Sequence, residues 1–273
     1  MSKVLITGAA SGLGRALALR FAKENADICI ADINMEGAAE TLAMVEQAGG
    51  KGWTYSLDVT KPEQWQTLLA EVEQRWQGID VVINNAGVAS ADRIEQGDWS
   101  TWEWVIDINI KGVALGARTF TPLMKKQNRG YFINTASLAG LMTAPFMASY
   151  NVTKAAVVAL SDTMHHELKP YGIGTTALCP GFFRTNLDKT MRSSDPSAQR
   201  FVDKVFEASA LDASDIADAA YRAMQKGQLI CNPHSVGRTA YFIKRYLPWV
   251  YKRLAAKEAI KLKFHDPVSN NNS

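Results

Sequence analysis

Long hydrophobic runs are missing from this chain: no stretch approaches the roughly 20 apolar residues that span a bilayer, so no membrane-spanning helix is expected. The first strand-like run begins at Lys3, which leaves no room for a leader peptide, and the expected setting is the cytoplasm. Cysteine is scarce as well. Cys29, Cys179 and Cys231 form an odd, widely spaced set, each inside an apolar run. That pattern argues against a disulfide framework, a metal centre or thiolate chemistry, and for buried free thiols in a reducing compartment. A strong charge of either sign is also absent. The net charge of +3 gives no reason to expect a nucleic-acid partner. The average hides one asymmetry: between Arg238 and Lys263 there are eight Lys/Arg and one Glu, against 22 basic and 26 acidic residues elsewhere.

What is present is an ordinary globular composition, 47% hydrophobic over 273 residues, enough for one sizeable core. Short β-branched runs alternate with longer amphipathic ones. Strands are expected at Lys3–Thr7, Asp27–Ala31, Gly52–Leu57, Asp80–Asn84, Tyr131–Ala136, Gly174–Leu178 and Gln228–Cys231. Helices are expected at Leu13–Asn25, Glu36–Ala48, Pro62–Trp76, Trp99–Gln127, Ala148–Pro170 and Ser214–Lys226, with a further one near Gln199–Ala208. Strand interiors such as Val-Leu-Ile and Val-Val-Ile are apolar throughout, as in strands covered on both faces. The fold class is therefore α/β: a single doubly wound Rossmann-type domain, with a seven-stranded parallel sheet between two helical layers. It occupies residues 1–236, and residues 237–273 form a basic, aromatic helical extension.

Between the first strand and first helix stands Thr7-Gly8-Ala9-Ala10-Ser11-Gly12-Leu13-Gly14. A glycine-rich turn there can bring backbone N–H groups and the helix N-terminus against a pyrophosphate. Gly8 suits the tight turn, Gly12 the close approach and Gly14 the helix–sheet contact. A nucleotide P-loop would need Lys-Ser/Thr after its last glycine, and this chain lacks that pair. Asp32 ends the second strand 18 residues after Gly14, where an acid can accept hydrogen bonds from the adenosine ribose diol and repel a 2′-phosphate. The alternative role for Asp32 is a helix N-cap. Ile33 and Asn34 are uncharged and Arg15 is the one basic residue nearby, so NAD is expected over NADP.

Further motifs, in order, make the chain resemble the short-chain dehydrogenase/reductase family over nearly its whole length. Thr7 to Gly14 is similar to the family's T-G-x-x-x-G-x-G loop, with Ser11 and Leu13 inside it. Asp58, followed by Val59, matches the acid that contacts adenine, and Asn84-Asn85-Ala86-Gly87 the N-N-A-G turn. Asn109 matches the family's helix asparagine, Ser137 its serine, and Tyr150-Asn151-Val152-Thr153-Lys154 its Y-x-x-x-K. Pro180-Gly181-Phe182-Phe183-Arg184-Thr185 is similar to the P-G segment with its nicotinamide-facing threonine. Asn84 and Asn85 also suit a purely structural turn.

The resemblance implies an NAD-dependent oxidoreductase that moves a hydride between nicotinamide and an alcohol or carbonyl substrate. Tyr150 would be the acid/base. An ordinary tyrosine, with a pKa of ~10, is a poor base at neutral pH. Lys154, one helical turn away, together with the oxidised nicotinamide is expected to lower it. Ser137 would hold the substrate oxygen, Lys154 the nicotinamide ribose, and Asn109 a water joining Lys154 to solvent. Family likeness also implies a homodimer or homotetramer joined through the long helices Trp99–Gln127 and Ala148–Pro170.

Substrate identity is not written in these motifs. Residues 182–210 are expected to form a substrate lid, and Phe183, Leu187, Met191, Phe146 and Met147 suit a hydrophobic pocket as well as they suit a core. In the extension, Phe242, Ile243, Tyr246 and Leu247 fall on one helical stripe, with Lys244 and Arg245 facing away, and Pro248 opens a second helix. Packing of that stripe on the body or on a second subunit is weighed above peripheral contact with an anionic membrane.

Overall fold

Why the strands are apolar throughout is plain in the computed structural model, which describes residues 1–181, 183, 191–194 and 211–263. The seven strands are β1 Lys3–Thr7, β2 Asp27–Asp32, β3 Lys51–Ser56, β4 Val81–Asn84, β5 Gly130–Thr135, β6 Ile173–Leu178 and β7 Ile230–Cys231. All pair in parallel in the order β3-β2-β1-β4-β5-β6-β7. Each strand's side chains alternate between two separate cores. Ile6, Ile28, Ile30, Ile83 and Ile133 face one core, closed by Leu17, Phe21 and Ile216. Leu5, Cys29, Val82 and Phe132 face the other, closed by Trp65, Phe120, Met124 and Met164.

The first core is covered by α1 (Gly12–Ala22), α2 (Met35–Gln47) and, later in the chain, Ala213–Gln225. The second is covered by α3 (Pro62–Trp76), α5 (Val113–Gln127) and α7 (Ala148–Leu168). Between them in sequence lie α4 (Trp99–Ile106) and the short α6 (Leu138–Leu141). The helix at Ala213–Gln225 is α8, and two more follow, α9 Ser235–Tyr246 and α10 Pro248–Lys263. The crossovers run in opposite directions from β1, so the C-terminal ends of β1 and β4 flank a crevice where strand order reverses.

The expected helix Trp99–Gln127 is not continuous: a π-helical turn, Asp107–Gly112, separates α4 from α5. It carries the fully buried Asn109. β4 starts one residue later than expected and β3 one residue earlier, and β7 is only two residues long. The expected helix near Gln199–Ala208 lies outside the described residues, as does most of the expected lid. Of that segment, residues 183 and 191–194 are described, and Arg192 bridges in parallel to Ser90.

The extension forms the two expected helices, but it presents a different face to the body. Gly237 is buried, Tyr241 packs with Leu138 and Leu141, and Lys244 Nζ donates to the Leu141 carbonyl at 2.7 Å. Phe242 and Tyr246 point to solvent instead. The stripe expected to pack on the body or on a second subunit thus leaves Phe242, Tyr246 and Leu247 exposed on this chain, and the body contact is set by a small residue and a lysine that satisfies the last carbonyl of α6.

Candidate active site

Thr7 closes β1 with its hydroxyl turned toward β4, and there it accepts the backbone N–H groups of Asn85 and Ala86, each at 3.0 Å. Asn85 returns its amide to the carbonyls of Thr7 and Gly8 at 3.0 and 3.2 Å. The glycine loop and the Asn-Asn-Ala-Gly turn are thus one hydrogen-bonded unit. No side chain fits where they touch. A Cβ on Gly8, whose φ is +64°, would lie 2.8 Å from Ala86 Cα, and one on Gly14 would lie 2.1 Å from the Gly8 carbonyl oxygen. Asn84 turns inward instead, donating to Asn134 Oδ1 at 2.8 Å, so its part is structural.

The N-terminus of α1 opens on a cavity of about 460 Å³ at this crevice. Ser11 precedes the helix with no side-chain cap bond, and no acidic residue stands in the first turn. Backbone N–H groups and glycines at the mouth of a cavity make a cradle for an anion such as pyrophosphate. Asp32 lines the same cavity, its carboxylate accepting the N–H of Ala10 and of Asn34, both at 2.9 Å. Arg15 is engaged elsewhere: it pairs with Glu40 at 2.8 Å and donates to the carbonyls of Ala10 and Gly37. Asp58 is held by Thr60, whose backbone and hydroxyl donate to its Oδ1 at 2.9 and 2.7 Å.

At the other end of the cavity stand Ser137, Tyr150 and Lys154. Ser137 caps α6, accepting the Ala139 N–H at 3.1 Å. Tyr150 and Lys154 share one face of α7 and are both buried. Lys154 Nζ donates to the Thr135 carbonyl at 2.8 Å and sits 5.6 Å from the centre of the Tyr150 ring. The alignment depends on a close helix contact, since a Cβ on Gly140 of α6 would lie 2.5 Å from the Lys154 carbonyl oxygen. In the first turn of α7, Asn151 ties down the preceding loop through Ala144, and the hydroxyls of Ser90 and Ser149 meet at 2.6 Å.

Burial governs both ionisations. It pushes the Tyr150 phenol up to about 12, opposed only by a hydrogen bond with the Ser137 side chain. It pulls the Lys154 ammonium down to about 8. The chain's own groups therefore raise the tyrosine rather than lower it, because desolvation of a phenolate outweighs the hydrogen bond from Ser137. The thiols behave as the sequence suggests: all three are free and buried, and burial raises Cys179 and Cys231 to about 12 and about 11.

The cavity brings together Gly8, Ser11, Gly12, Leu13, Gly14, Asp32, Asp58, Val59, Asn85, Ala86, Gly87, Ser137, Tyr150, Lys154, Pro180, Gly181 and Phe183. Asn109 lies behind this wall. Its amide exchanges bonds with the Val88 N–H and carbonyl, both at 2.9 Å, and reaches the Thr153 hydroxyl at 3.1 Å. Thr185 and Leu187 lie outside the described residues. Met147 lines the cavity, whereas Phe146 and Met191 pack beside it with Ala89, Ala91 and Tyr150.

Other contributors escape a sequence reading. Val88, Trp104 and Ile108 line the cavity, and the Arg192 guanidinium lies 3.9 Å from the centre of the Trp104 ring. His234, just before α9, accepts the Gly181 N–H on Nδ1 at 3.0 Å and so fixes the Pro180–Gly181 turn. None of these belongs to a recurrent spacing. Only a pass for apolar residues beside the asparagine turn and the α4 end could have raised the first three.

Comparison with known proteins agrees with this geometry. Residues 2–196 match the short chain dehydrogenase family. The chain is 31% identical over 266 residues to "Probable oxidoreductase EphD" of Mycobacterium tuberculosis, a match covering 94% of this chain and 45% of that protein, so it spans under half of that relative's length. It is 36% identical over 192 residues to a 3beta-hydroxysteroid dehydrogenase of Mediterraneibacter gnavus, covering 70% of this chain and 68% of that one. Among solved structures, a short chain dehydrogenase/reductase of Burkholderia phymatum in complex with NAD superposes with a TM-score of 0.84 at 29% identity, over 89% of this chain and 92% of that one.

Proposed function

The chain belongs to the short-chain dehydrogenase family of oxidoreductases, and from that premise we propose that it interconverts a secondary alcohol and a ketone with NAD as its cofactor. The observation that carries the reading is that Ser137, Tyr150 and Lys154 share one cavity with the uncapped end of α1 and with Asp32. Glycines 8, 12 and 14 leave room for backbone N–H groups to hold a pyrophosphate, and Asp32 for a ribose diol. When bound, the nicotinamide dinucleotide supplies the hydride acceptor or donor and, oxidised, one positive charge.

The chain's residues handle the proton. In reduction Tyr150 gives its phenolic proton to the carbonyl oxygen as hydride reaches the carbonyl carbon, and in oxidation it takes the proton back. A phenol held near 12 by burial is protonated at neutral pH, which suits it to donate. Ser137 hydrogen-bonds the same oxygen and stabilises the charge developing there. Lys154, as the ammonium, holds the ribose and favours the phenolate once its proton has left. Asn109 stabilises the Val88 end of the turn and stands with Lys154 around Gly87: a Cβ there would meet Asn109 Oδ1 at 3.1 Å and Lys154 Nζ at 3.3 Å. A water held by Asn109 at this point would relay a proton between Lys154 and solvent.

Several features favour NAD over NADP: the Asp32 carboxylate at the cavity, the uncharged Ile33 beside it, and the commitment of Arg15 to Glu40. Val88, Ala89, Trp104, Met147 and Phe183 make the substrate end apolar, which fits a hydrophobic cyclic or branched carbinol. The steroid named for the relative from Mediterraneibacter is of that kind. We assign a homodimer or homotetramer through α4, α5 and α7. Among the described residues no helix is long and apolar enough to cross a membrane, and a cytoplasmic enzyme is the reading adopted.

Tyr150→Phe tests the assignment. Turnover with NADH and a hydrophobic ketone should fall by at least ~100-fold, the lower end for loss of general acid catalysis. NADH affinity, read by nucleotide fluorescence, should stay within about twofold. Wild-type turnover in this variant would refute the role of Tyr150.

A further inference from the structure

Once α9 has docked, its aromatic stripe is left facing outward. Phe242, Tyr246 and Trp249 are 57%, 62% and 63% exposed, with Leu247 and Leu254 beside them. The Phe242 and Tyr246 rings meet at 4.8 Å, so they form one apolar surface. The exposed Arg238 and Arg245 lie on the same helix and the exposed Lys252 and Arg253 follow on α10, and among the described residues none of these pairs with a carboxylate. The contacts they do make are local: Arg238 with the carbonyls of Asn232 and Pro233, and Arg245 with the Tyr241 hydroxyl.

A large exposed aromatic patch rimmed by unpaired cations is costly to leave in water and needs a partner of defined chemistry. A second copy meeting it across a two-fold axis would bring two equally cationic patches together, because such an interface joins identical patches. With eight Lys/Arg against one Glu between Arg238 and Lys263, that contact is repulsive. A bilayer surface of anionic phospholipid is complementary on both counts. Aromatic rings settle at the boundary between headgroups and acyl chains, and Lys and Arg reach the lipid phosphates. α9 separates an apolar from a basic face, as a helix lying on such a surface does, and among the described residues no helix is long and apolar enough to cross it.

We propose that α9 and α10 dock this protein on anionic phospholipid bilayers, with Phe242, Tyr246 and Trp249 entering the interface and Arg238, Arg245, Lys252 and Arg253 binding the headgroups. The surface is mechanically tied to the cavity. α9 is fixed to α6, the helix capped by Ser137, through Lys244, and His234 at its start holds Gly181. Docking therefore sets the orientation of the cavity relative to the lipid. This inference is independent of the hydride-transfer reading.

Vesicle sedimentation of the full chain tests it, with mixed phosphatidylcholine and phosphatidylglycerol compared with phosphatidylcholine alone, at low and high salt. The bound fraction should fall roughly tenfold or more at high salt and on the neutral vesicles. The variant Phe242→Glu/Tyr246→Glu/Trp249→Glu should lose binding while keeping its melting temperature and NADH affinity. If that variant folds poorly, Arg245→Gln/Lys252→Gln/Arg253→Gln leaves the aromatics in place and should abolish the salt-sensitive part. Failure of the wild type to sediment with anionic vesicles overturns the proposal. So does binding that survives both variants. A wild type that ignores vesicles but halves in mass on light scattering when the aromatics are replaced would make the patch a subunit interface, and would also overturn it.

Discussion

Tyr150 and Lys154 sit one helical turn apart, yet burial drives their ionisations away from each other, the phenol up to about 12 and the ammonium down to about 8. The lysine is then the group nearer its titration point in working conditions. If its positive charge supports both the ribose and the phenolate, kcat/KM for ketone reduction should be level below pH 8 and fall as pH rises through about 8, where the ammonium loses its proton. A profile flat to pH 10 would show that Lys154 charge is not needed. Lys154→Met should lower turnover at every pH and remove that limb. At this scale the sequence was generous where a residue's role depends on near neighbours, as with Tyr150 and Lys154 or Ser11 and Gly12. It was silent where the role depends on a distant partner. His234 meets Gly181 across 53 residues, and the inward turn of Asn84 is set by Asn134, 50 residues on.

The elements were legible to the extent that burial is two-sided. β1, β2 and β4 read as strands because both faces of each are covered, and so their interiors are apolar without alternation. The π-helical turn was not legible, since Ile-Asn-Ile at helical spacing reads alike in an α- or a π-helix, and the two differ only in backbone bonding. The face by which α9 packs was misread for a related reason. Apolarity alone selects Phe242 and Tyr246, while the contact with α6 turns on Gly237, where a Cβ would meet Leu138 Cδ2 at 3.0 Å, and on Lys244. The joint between the glycine loop and the Asn-Asn-Ala-Gly turn gives a test at this scale. Thr7→Val keeps the shape but removes the acceptor of two N–H groups. Urea denaturation should show a loss of roughly 1–3 kcal/mol, and Thr7→Ser should restore most of it. Unchanged stability in Thr7→Val would mean that the joint is held by the Asn85 side chain alone.

For the molecule as a whole, topology places the cavity: strand order reverses at β1 and β4, and the cavity opens at their C-terminal ends. Glycine loop, acid and Ser-Tyr-Lys set come from segments spread between residues 8 and 183, yet they converge there. The central claim, transfer of a hydride between a nicotinamide and a carbon of the substrate, is tested most directly by isotope transfer. NADH carrying deuterium at C4 of the nicotinamide, supplied as each of its two stereoisomers, is incubated with the protein and a set of hydrophobic cyclic ketones, and the product alcohol is analysed by mass spectrometry. Deuterium should appear on the carbinol carbon from one stereoisomer, much faster than from the corresponding NADPH. Product alcohol without deuterium from either stereoisomer, or no product from any ketone with either cofactor, would contradict the account.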